Sequence, residues 1–501
     1  MNELLSQLAF GFSVALKPMN ALFAFCGCLV GTLVGVLPGI GPVATIAMLL
    51  PLTFYLDPVA GLIMLAGIFY GAQYGGSTTA ILLNLPGEAS SVMTCLDGHM
   101  MAKNGRAGPA LTIAALGSFF AGCAVTLLMF VASPSLAKVA RSFGAPEYFS
   151  LMVLGLVGAV VIARGSVIRA LAMVLLGLLF GIVGTDPNSG RLRFTFGITS
   201  LMDGIDFVPI AIGLFGMGEI IANLGLPDRT AIVSGRVNLW PTGDDFRRAW
   251  PAMLRGTGVG ALVGILPGGG ATLGAFMAYI VEKKVAKDSS RLGTGVVEGV
   301  ASPESANNAG AQSSFIPMLS LGIPGNATMA VMMAAMMIHG IQPGPQMITE
   351  KPDMFFGLIA SMWVGNLMLL IINLPLIRLW VKFLQIPYRF LFIAILVFCT
   401  IGVYVVKNNA QDVYIAAGFA LLSYFFIRYS CEPAPLVLGF VLGPLMEENL
   451  RRSLLMSGGD WLIFVQRPLS LGLLLFALVL ILVLVIPVIR RTRRVAFEEE
   501  K

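Results

Sequence analysis

The sequence predicts an all-α protein that crosses a lipid bilayer many times and is built from two inverted repeats. Composition, the spacing of apolar segments and duplicated motifs predict this class. Of the 501 residues, 57% are hydrophobic and only 12% are charged, and the mean hydropathy is +0.87. Soluble domains carry roughly 25% charged residues, so this chain needs lipid as its solvent. At roughly 20 apolar residues per crossing, the apolar segments allow about 11–12 full spans.

Short motifs occur twice along the chain in the same order, which indicates a duplication. The two halves share GVLPGIG at 35–41 and GILPGGG at 264–270, NLPG at 84–87 and GIPG at 322–325, and Gly-Pro at 108–109 and 344–345. The offsets between the members of each pair are 229, 238 and 236 residues. We therefore divide the chain into a first repeat, residues 1–240, and a second repeat, residues 241–501.

Each repeat begins with an apolar segment that is too short for two crossings. Residues 256–281 are apolar, are interrupted by Leu-Pro-Gly-Gly-Gly and have basic residues at both ends. Two crossings would need roughly 40 residues, and basic loops face the cytoplasm. This pattern predicts a re-entrant hairpin from the cytoplasmic side. The corresponding hairpin, residues 21–56, has only Lys17 and Asp57 at its ends, which places it on the opposite face and predicts inverted topology.

A broken helix is predicted after each hairpin, over residues 58–96 and 292–339. In each, a Pro-Gly pair ends one half-helix and begins another, because proline suits a first helical turn and glycine allows close backbone approach. Backbone groups cannot stay unpaired in lipid, so such breaks must line protein or a water-filled cavity. Scaffold spans follow over 109–225 and 354–489, and the arginine-rich end of the chain predicts a cytoplasmic C-terminus.

The half-helices that begin after the breaks present free N–H groups and positive dipole ends, which favour anions. Inverted repeats with paired broken helices are the usual design of secondary transporters, with the site near the bilayer midplane. The predicted substrate-binding residues are therefore Asn84, Pro86, Gly87, Ser90, Ser91, Gly322, Pro324, Gly325, Asn326 and Thr328. The alternative is that these small residues only let helices pack closely.

Hydroxyl and amide oxygens near the breaks, together with unwound carbonyls, suit Na⁺. The predicted cation-binding residues are Gly39, Gly41, Ser77, Thr78, Thr79, Gly268, Gly270, Asn307, Asn308, Ser313 and Ser314. Three carboxylates, Glu88, Glu298 and Glu304, are candidates for coupling to protons or cations, because an ionisable residue at membrane depth is a functional hypothesis by default. Glu298 equally suits a solvated loop facing Lys287 and Arg291.

Other functions lack sequence support. The chain has no Gly-Lys pair and hence no phosphate loop for ATP, and neither a Ser-His-Asp set nor an H-E-x-x-H motif is apparent, so neither an enzyme nor a cofactor is predicted. His99 and His339 are interpreted as structural residues, since no third metal ligand accompanies them. The scattered cysteines fit neither a metal set nor disulfides. The net charge of +6 is attributed to basic loops and not to nucleic-acid binding, and the N-terminus does not predict a removable signal peptide.

Four stretches resemble one transporter family: GVLPGIGPVATIAMLLPLTFYLDP, GGSTTAILLNLPGEASSVMTCLDGHMMAKNGRAGPAL, EGVASPESANNAGAQSS and FIPMLSLGIPGNATMAVMMAAMMIHGIQPGP. With the chain length, they resemble the large membrane subunit of tripartite tricarboxylate transporters. The resemblance implies an elevator-type permease of the bacterial inner membrane, driven by cations and usually by Na⁺. It also implies a small membrane subunit of about four helices and a periplasmic binding protein that delivers a carboxylate such as citrate. Glu88 departs from the family pattern, where a smaller or neutral residue is expected.

Two other functions remain open at this point. One is a self-sufficient cation- or proton-coupled organic anion transporter, or a channel, that needs no binding protein. The other is a membrane enzyme or scaffold. Transport by this chain alone would favour the first of these two.

Overall fold

The computed structural model describes residues 2–37, 41–140, 142–163, 166–186, 189–218, 221, 239–266, 270–286, 288–344, 346–383 and 388–485. Over these residues the protein is almost entirely helical, as predicted. Two very short strands, β1 (Gly184–Thr185) and β2 (Leu192–Arg193), pair antiparallel with Gly184 opposite Arg193.

The first half of the chain contains nine helices among its described residues. They are α1 (Asn2–Ala15), α2 (Pro18–Val36), α3 (Pro42–Thr53), α4 (Pro58–Leu83), α5 (Val92–Lys103), α6 (Ala107–Ala140), α7 (Ala145–Ile162), α8 (Val167–Gly181) and α9 (Phe207–Ala211). A 3₁₀ turn, Ala89–Ser91, precedes α5, and a π-helical segment, Ile212–Met217, continues α9.

The second half contains thirteen helices among its described residues. They are α10 (Gly243–Ile265), α11 (Gly270–Val285), α12 (Glu298–Ser313), α13 (Phe315–Leu321), α14 (Ala327–Ile338), α15 (Met347–Glu350), α16 (Pro352–Asn373), α17 (Ile377–Phe383), α18 (Tyr388–Lys407), α19 (Ala410–Arg428), α20 (Ala434–Met456), α21 (Ile463–Gln466) and α22 (Pro468–Val485). The predicted hairpins correspond to α2–α3 and α10–α11, and the predicted broken helices to α4–α5 and α12–α14.

Some helix boundaries differ from the predicted segments. Helix α10 begins at Gly243, well before residue 256, because Thr242 accepts a hydrogen bond from the backbone N–H of Asp245 and the two residues form a capping box. Helix α5 continues to Lys103, past the predicted end at residue 96. Both extensions are polar, so an apolar pattern does not reveal them.

Five helices in the described part of the chain are long and apolar enough to cross a membrane: α2, α4, the Ala107–Ser133 part of α6, α16 and α19. Eight other apolar helices have only 10–17 residues. The protein is thus a multi-pass membrane protein by helix length and composition, and the number of 11–12 full spans stays a prediction.

Glycines spaced four residues apart bring the first arm of each hairpin into contact with the following broken helix. In α2, Gly27, Gly31 and Gly35 lie against the backbone carbonyls of Met64, Ile68 and Ala72 in α4. In α10, Gly256, Gly260 and Gly264 lie against those of Ser302, Ala306 and Gly310 in α12. Small residues at this spacing allow helix backbones to approach closely. The two halves therefore pack in the same register, with the residue offsets of the duplicated motifs.

The two broken helices run in opposite directions. The first turn of α4 lies beside the end of α14, because a Cβ at Gly61 would be 3.8 Å from Nε2 of His339. The last turns of α5 lie beside the loop that leads into α12, where Asp97 accepts a hydrogen bond from the backbone N–H of Gly295 at 2.9 Å. The first broken helix thus begins where the second one ends.

The broken helices form the centre of the molecule, and apolar side chains point outward from the peripheral helices. Every residue in α4 after Pro58 is buried, as is every residue in α12 after Glu298. By contrast, Ile168 in α8, Phe398 in α18 and Tyr414 in α19 are 79%, 64% and 76% exposed. An outer surface of this kind suits lipid and not water.

Candidate functional site

The hairpin arms end beside the breaks in the broken helices. In the first repeat, the hydroxyl group of Thr79 donates to the carbonyl of Gly35 at 3.2 Å, and a Cβ at Gly87 would lie 2.6 Å from that same oxygen. In the second repeat, a Cβ at Gly270 would lie 3.2 Å from Nδ2 of Asn326. The fold thus brings predicted cation-binding residues next to predicted substrate-binding residues in each half. Gly41 is described as the N-cap of α3, whereas Gly39 and Gly268 lie outside the described residues.

Both breaks use the same local conformation. Helix α4 ends at Asn84 with φ of 55°, and α13 ends at Gly322 with φ of 70°. Glycine and asparagine are the residues that adopt this left-handed conformation most readily. After each turn the chain becomes extended, at Glu88 and at Asn326, and the next helix begins.

The chain itself caps both helix N-termini at the breaks. The side-chain oxygen of Asn326 accepts a hydrogen bond from the backbone N–H of Met329 at 2.9 Å. The carboxylate of Glu88 accepts hydrogen bonds from the backbone N–H of Ser91 and from the hydroxyl group of Ser90. A substrate carboxylate would therefore compete with a negative side chain at the first break, but would meet a neutral amide at the second.

The two breaks also differ in exposure. Asn84 and Pro86 are exposed, whereas Gly322, Pro324 and Gly325 are buried. The segment after α14 covers the second break, because a Cβ at Gly322 would lie 2.6 Å from the carbonyl oxygen of Pro343. Thr328, in the first turn of α14, is also buried. In this arrangement the first break is open and the second is closed.

Glu304 lies at the centre of a polar cluster between the two broken helices. Its carboxylate is fully buried and accepts hydrogen bonds from the hydroxyl groups of Ser77, at 2.6 Å, and Thr94. The amide of Asn308 donates to Ser118 Oγ at 2.7 Å and to the carbonyl of Glu304 at 3.2 Å. We call Ser77, Thr94, Ser118, Glu304 and Asn308 the polar centre. It joins α4, α5, α6 and α12, although its members are up to 231 residues apart in the sequence.

Two further predicted residues lie beside the polar centre. The carboxyl group of Glu88 is close enough to Glu304 and to Asn307 to interact with both. Asn307 is fully buried, and neither of its side-chain amide atoms meets a partner at hydrogen-bonding geometry. These groups can respond to an ion or a polar ligand that enters between the half-helices.

Other predicted cation-binding hydroxyl groups hold the helices themselves. Thr79 donates to the carbonyls of Gly35, Gly75 and Gly76, and Thr78 to that of Tyr74 at 3.3 Å. The hydroxyl groups of Ser313 and Ser314 donate to carbonyls one turn earlier in the same helix. Of these four residues, Thr78 also lines a cavity beside Glu304.

Glu298 lies outside the polar centre. It is the first residue of α12, and its two carboxylate oxygens accept hydrogen bonds from Arg248, each at 2.8 Å. Arg106 pairs with Asp245 at 2.5 Å and Arg255 with Glu282 at 2.6 Å at the same end of the second repeat. These arginines are committed to acidic partners, and their pairs lie apart from Glu304.

The two histidines lie in different surroundings. His99 Nδ1 is 3.1 Å from the carbonyl oxygen of Ile81. Burial lowers the pKa of His339, and the nearby Asp57 partly opposes this effect. No group of three His, Cys, Asp or Glu side chains is placed to hold a metal ion in the described parts of the chain.

Sequence analysis missed Asp97, Tyr74 and Asn373. Asp97 is fully buried and accepts hydrogen bonds from the backbone N–H groups of Gly293, Gly295 and Val296 and from the hydroxyl group of Tyr279. Tyr74 and Asn373 line the cavity beside Glu304. The GHMM stretch after Asp97 and the apolar surroundings of Asn373 carry no recognisable signal for these contacts.

Comparison with known proteins places this geometry in context. The family model described as "Tripartite tricarboxylate transporter TctA family" matches residues 21–438. An uncharacterised 52.8 kDa protein in the TAR-I ttuC' 3' region of Agrobacterium vitis is 55% identical over 501 residues, which is 100% of both chains. An uncharacterised protein in the TAR-II ttuC' 3' region of the same organism is 53% identical over 241 residues, 48% of this chain and 100% of that protein. No solved structure matches the chain.

Proposed function

Because this chain belongs to the TctA family of tripartite tricarboxylate transporters, we propose that it is the subunit that carries a citrate-like carboxylate across the membrane, driven by Na⁺. Membership of a transporter family also argues against an enzyme. The observation that carries the proposal is the meeting of two hairpins with two oppositely directed breaks around buried polar groups.

The shared packing register supports inverted repeats. The same three-glycine contact occurs in both halves, and the broken helices run antiparallel. In secondary transporters, such repeats exchange access to a site at their interface. We propose that the hairpins and broken helices move together past the scaffold helices in an elevator-like manner, and that one open and one closed break represent one end of this movement.

The substrate is proposed to bind at the breaks. An unpaired charge in an apolar environment costs several kcal/mol or more, and the three arginines nearest the second repeat's broken helix pair with acids. Each helix N-terminus supplies about half a positive charge, so two N-termini offset only about one negative charge. A di- or tricarboxylate therefore requires co-bound cations, for which the polar centre is the proposed location.

The proposed partners and location follow from the family. They are a small membrane subunit of about four helices, a periplasmic binding protein and the bacterial inner membrane, with the C-terminus in the cytoplasm. Na⁺ or H⁺ is the only co-substrate ion required, and no cofactor is proposed.

Uptake of radiolabelled citrate into liposomes tests this proposal. The liposomes contain this chain and the small subunit, with the binding protein outside, and carry either an inward Na⁺ gradient or equal Na⁺ on both sides. Uptake should require the binding protein and should rise with the Na⁺ gradient. Equal uptake by this chain alone would instead identify a self-sufficient transporter, and uptake that follows a pH gradient only would assign H⁺ as the coupling ion.

A further inference from the structure

We propose that the cavity beside Glu304, between α4, α6, α12 and α16, is the binding site of the coupling Na⁺ ion, and that Tyr74 and Asn373 are ligands in it. This inference rests on the proposed function and gives its ion a defined position. The site uses Glu304 and Ser77 from the polar centre but adds a residue of the scaffold helix α16.

The cavity has the size and lining of a site for one small ion. Its volume is about 20 Å³, and about 10–15 Å³ of such space holds one water molecule, so a carboxylate substrate does not fit. Its polar lining consists of Tyr74, Ser77, Thr78, Ser118, Glu304 and Asn373. All six side chains offer oxygen atoms, which hard cations prefer as ligands.

The charge of Glu304 requires a positive partner in this position. The carboxylate is fully buried, and its described partners are hydroxyl groups. A buried charge is costly unless an opposite charge accompanies it. One monovalent cation neutralises one carboxylate, whereas a divalent cation would leave an excess positive charge among apolar helices.

Two unpartnered oxygen atoms belong to the same lining. Tyr74 Oη and Asn373 Oδ1 have no hydrogen-bond partner, and their residues are only 4% and 5% exposed. The Asn373 amide nitrogen donates to the carbonyl of Leu369 at 2.9 Å, which fixes the orientation of the amide. Nearly all buried polar atoms in proteins are paired, so two orphan oxygens beside a carboxylate indicate a missing positive ligand.

These orphan oxygens favour an ion over a proton. Protonation of Glu304 would also remove its charge, but it would leave Tyr74 Oη and Asn373 Oδ1 without partners. An ion in the cavity would satisfy all three groups. It would also join the broken helices, which carry Ser77 and Glu304, to α16, which carries Asn373, so that binding and release of the ion would strengthen and weaken that contact.

Direct binding of ²²Na⁺ to the purified full chain in lipid nanodiscs tests the site without substrate or partner proteins. Glu304→Gln and Asn373→Ala should each raise the Kd for Na⁺ by about tenfold or more, which corresponds to the loss of one strong ligand. Asn366→Ala is the matched control. Asn366 lies two turns earlier in α16, is 1% exposed and also has an unpartnered amide nitrogen, but it packs against Gly122 and not against the cavity. Its Kd should stay within about twofold of the wild-type value.

A gain of function separates ligation from general damage. Asn373→Asp adds a second carboxylate to the cavity, and Ca²⁺ has nearly the radius of Na⁺ with twice the charge. Ca²⁺ should therefore displace ²²Na⁺ from Asn373→Asp at lower concentrations than from the wild type or from Asn366→Asp. An unchanged Ca²⁺ competition curve would remove Asn373 from the ligand set.

The outcomes for the site and for the proposed function are distinct. Absence of Na⁺ binding by the wild type, or equal binding by the wild type, Glu304→Gln and Asn373→Ala, overturns the proposed site even if Na⁺ drives uptake. Normal binding with the expected variant effects, together with uptake that ignores the Na⁺ gradient, supports the site and overturns Na⁺ coupling.

Discussion

Gly87 and Gly325 occupy corresponding positions in the two breaks, but their surroundings differ. A Cβ at Gly87 would lie 2.6 Å from the Gly35 carbonyl oxygen and 3.0 Å from Thr79 Oγ1. A Cβ at Gly325 would meet its nearest atoms at 3.8 and 3.9 Å, which is ordinary contact. From the sequence both glycines are expected to be equally sensitive to substitution, whereas the structure assigns the tight contact to Gly87.

We therefore expect Gly87→Ala and Gly325→Ala to differ. Gly87→Ala should lower stability by about 1–3 kcal/mol, the usual cost of overpacking, and should strongly reduce uptake, because the first hairpin must move away from the break. Gly325→Ala should keep near wild-type stability and uptake. Thermal unfolding in detergent and citrate uptake measure both effects, and equal losses in the two variants would contradict this assignment.

At the scale of elements, Asp97 connects the first broken helix to the loop before the second. We expect Asp97→Asn to destabilise this connection by about 1–3 kcal/mol, because an amide N–H would replace an acceptor that faces backbone N–H donors. Limited proteolysis of the loop at 288–298 should become faster. Asp288→Asn is the control, since Asp288 is exposed and caps only the adjacent Ser290. Equal cleavage of wild type and Asp97→Asn would show that Asp97 does not hold the loop.

Helix α10 offers a matched test of the glycine contacts between hairpin and broken helix. A Cβ at Gly260 would lie 2.6 Å from Cα of Ala306, whereas a Cβ at Gly258 meets nothing within 4 Å. Gly260→Ala should therefore destabilise the protein by about 1–3 kcal/mol. Gly258→Ala should stabilise it by up to about 1 kcal/mol, because alanine favours helix over glycine. Unfolding temperatures of the two variants check the opposite signs, and a shift in the same direction would show that this helix contact is loose.

At the scale of the whole molecule, ion pairs join segments that the crossing pattern places on the outer face. Arg193 pairs with Glu447 at 2.9 Å, and Arg451 with Asp186 at 3.3 Å, so the loop with β1 and β2 lies beside the end of α20. The positive charges of Arg451 and Arg452 conflict with an outer location when loop charges are counted alone. Glu447 and Glu448 pair with these arginines at 2.6 and 2.5 Å, which neutralises them locally.

The inverted arrangement predicts a labelling pattern. In a background with the six native cysteines replaced, cysteines at the exposed positions Asp57 and Gln346 should react with an impermeant thiol reagent added to intact cells. A cysteine at Ser289, which is exposed at the opposite end of the broken helices, should react only after the membrane is opened. Labelling of Asp57 and Ser289 from the same side would exclude inverted repeats.

The sequence by itself determined the membrane class, the positions of the two breaks at Asn84–Gly87 and Gly322–Gly325, and the duplicated motifs around them. These features are local: composition selects the solvent, and Pro-Gly pairs interrupt a helix whatever surrounds it. The family resemblance of the same stretches also pointed to the TctA family, to which the chain belongs.

The tertiary structure alone decided which polar groups meet. It placed Glu304 opposite Ser77 and Thr94, moved Glu298 to Arg248, and brought Asn373 from a scaffold helix to the same cavity as Tyr74. Each of these contacts joins helices far apart in the sequence. Their occurrence depends on how the helices cross and rotate against one another, which is set by packing over the whole molecule and is not encoded in any local pattern of residues.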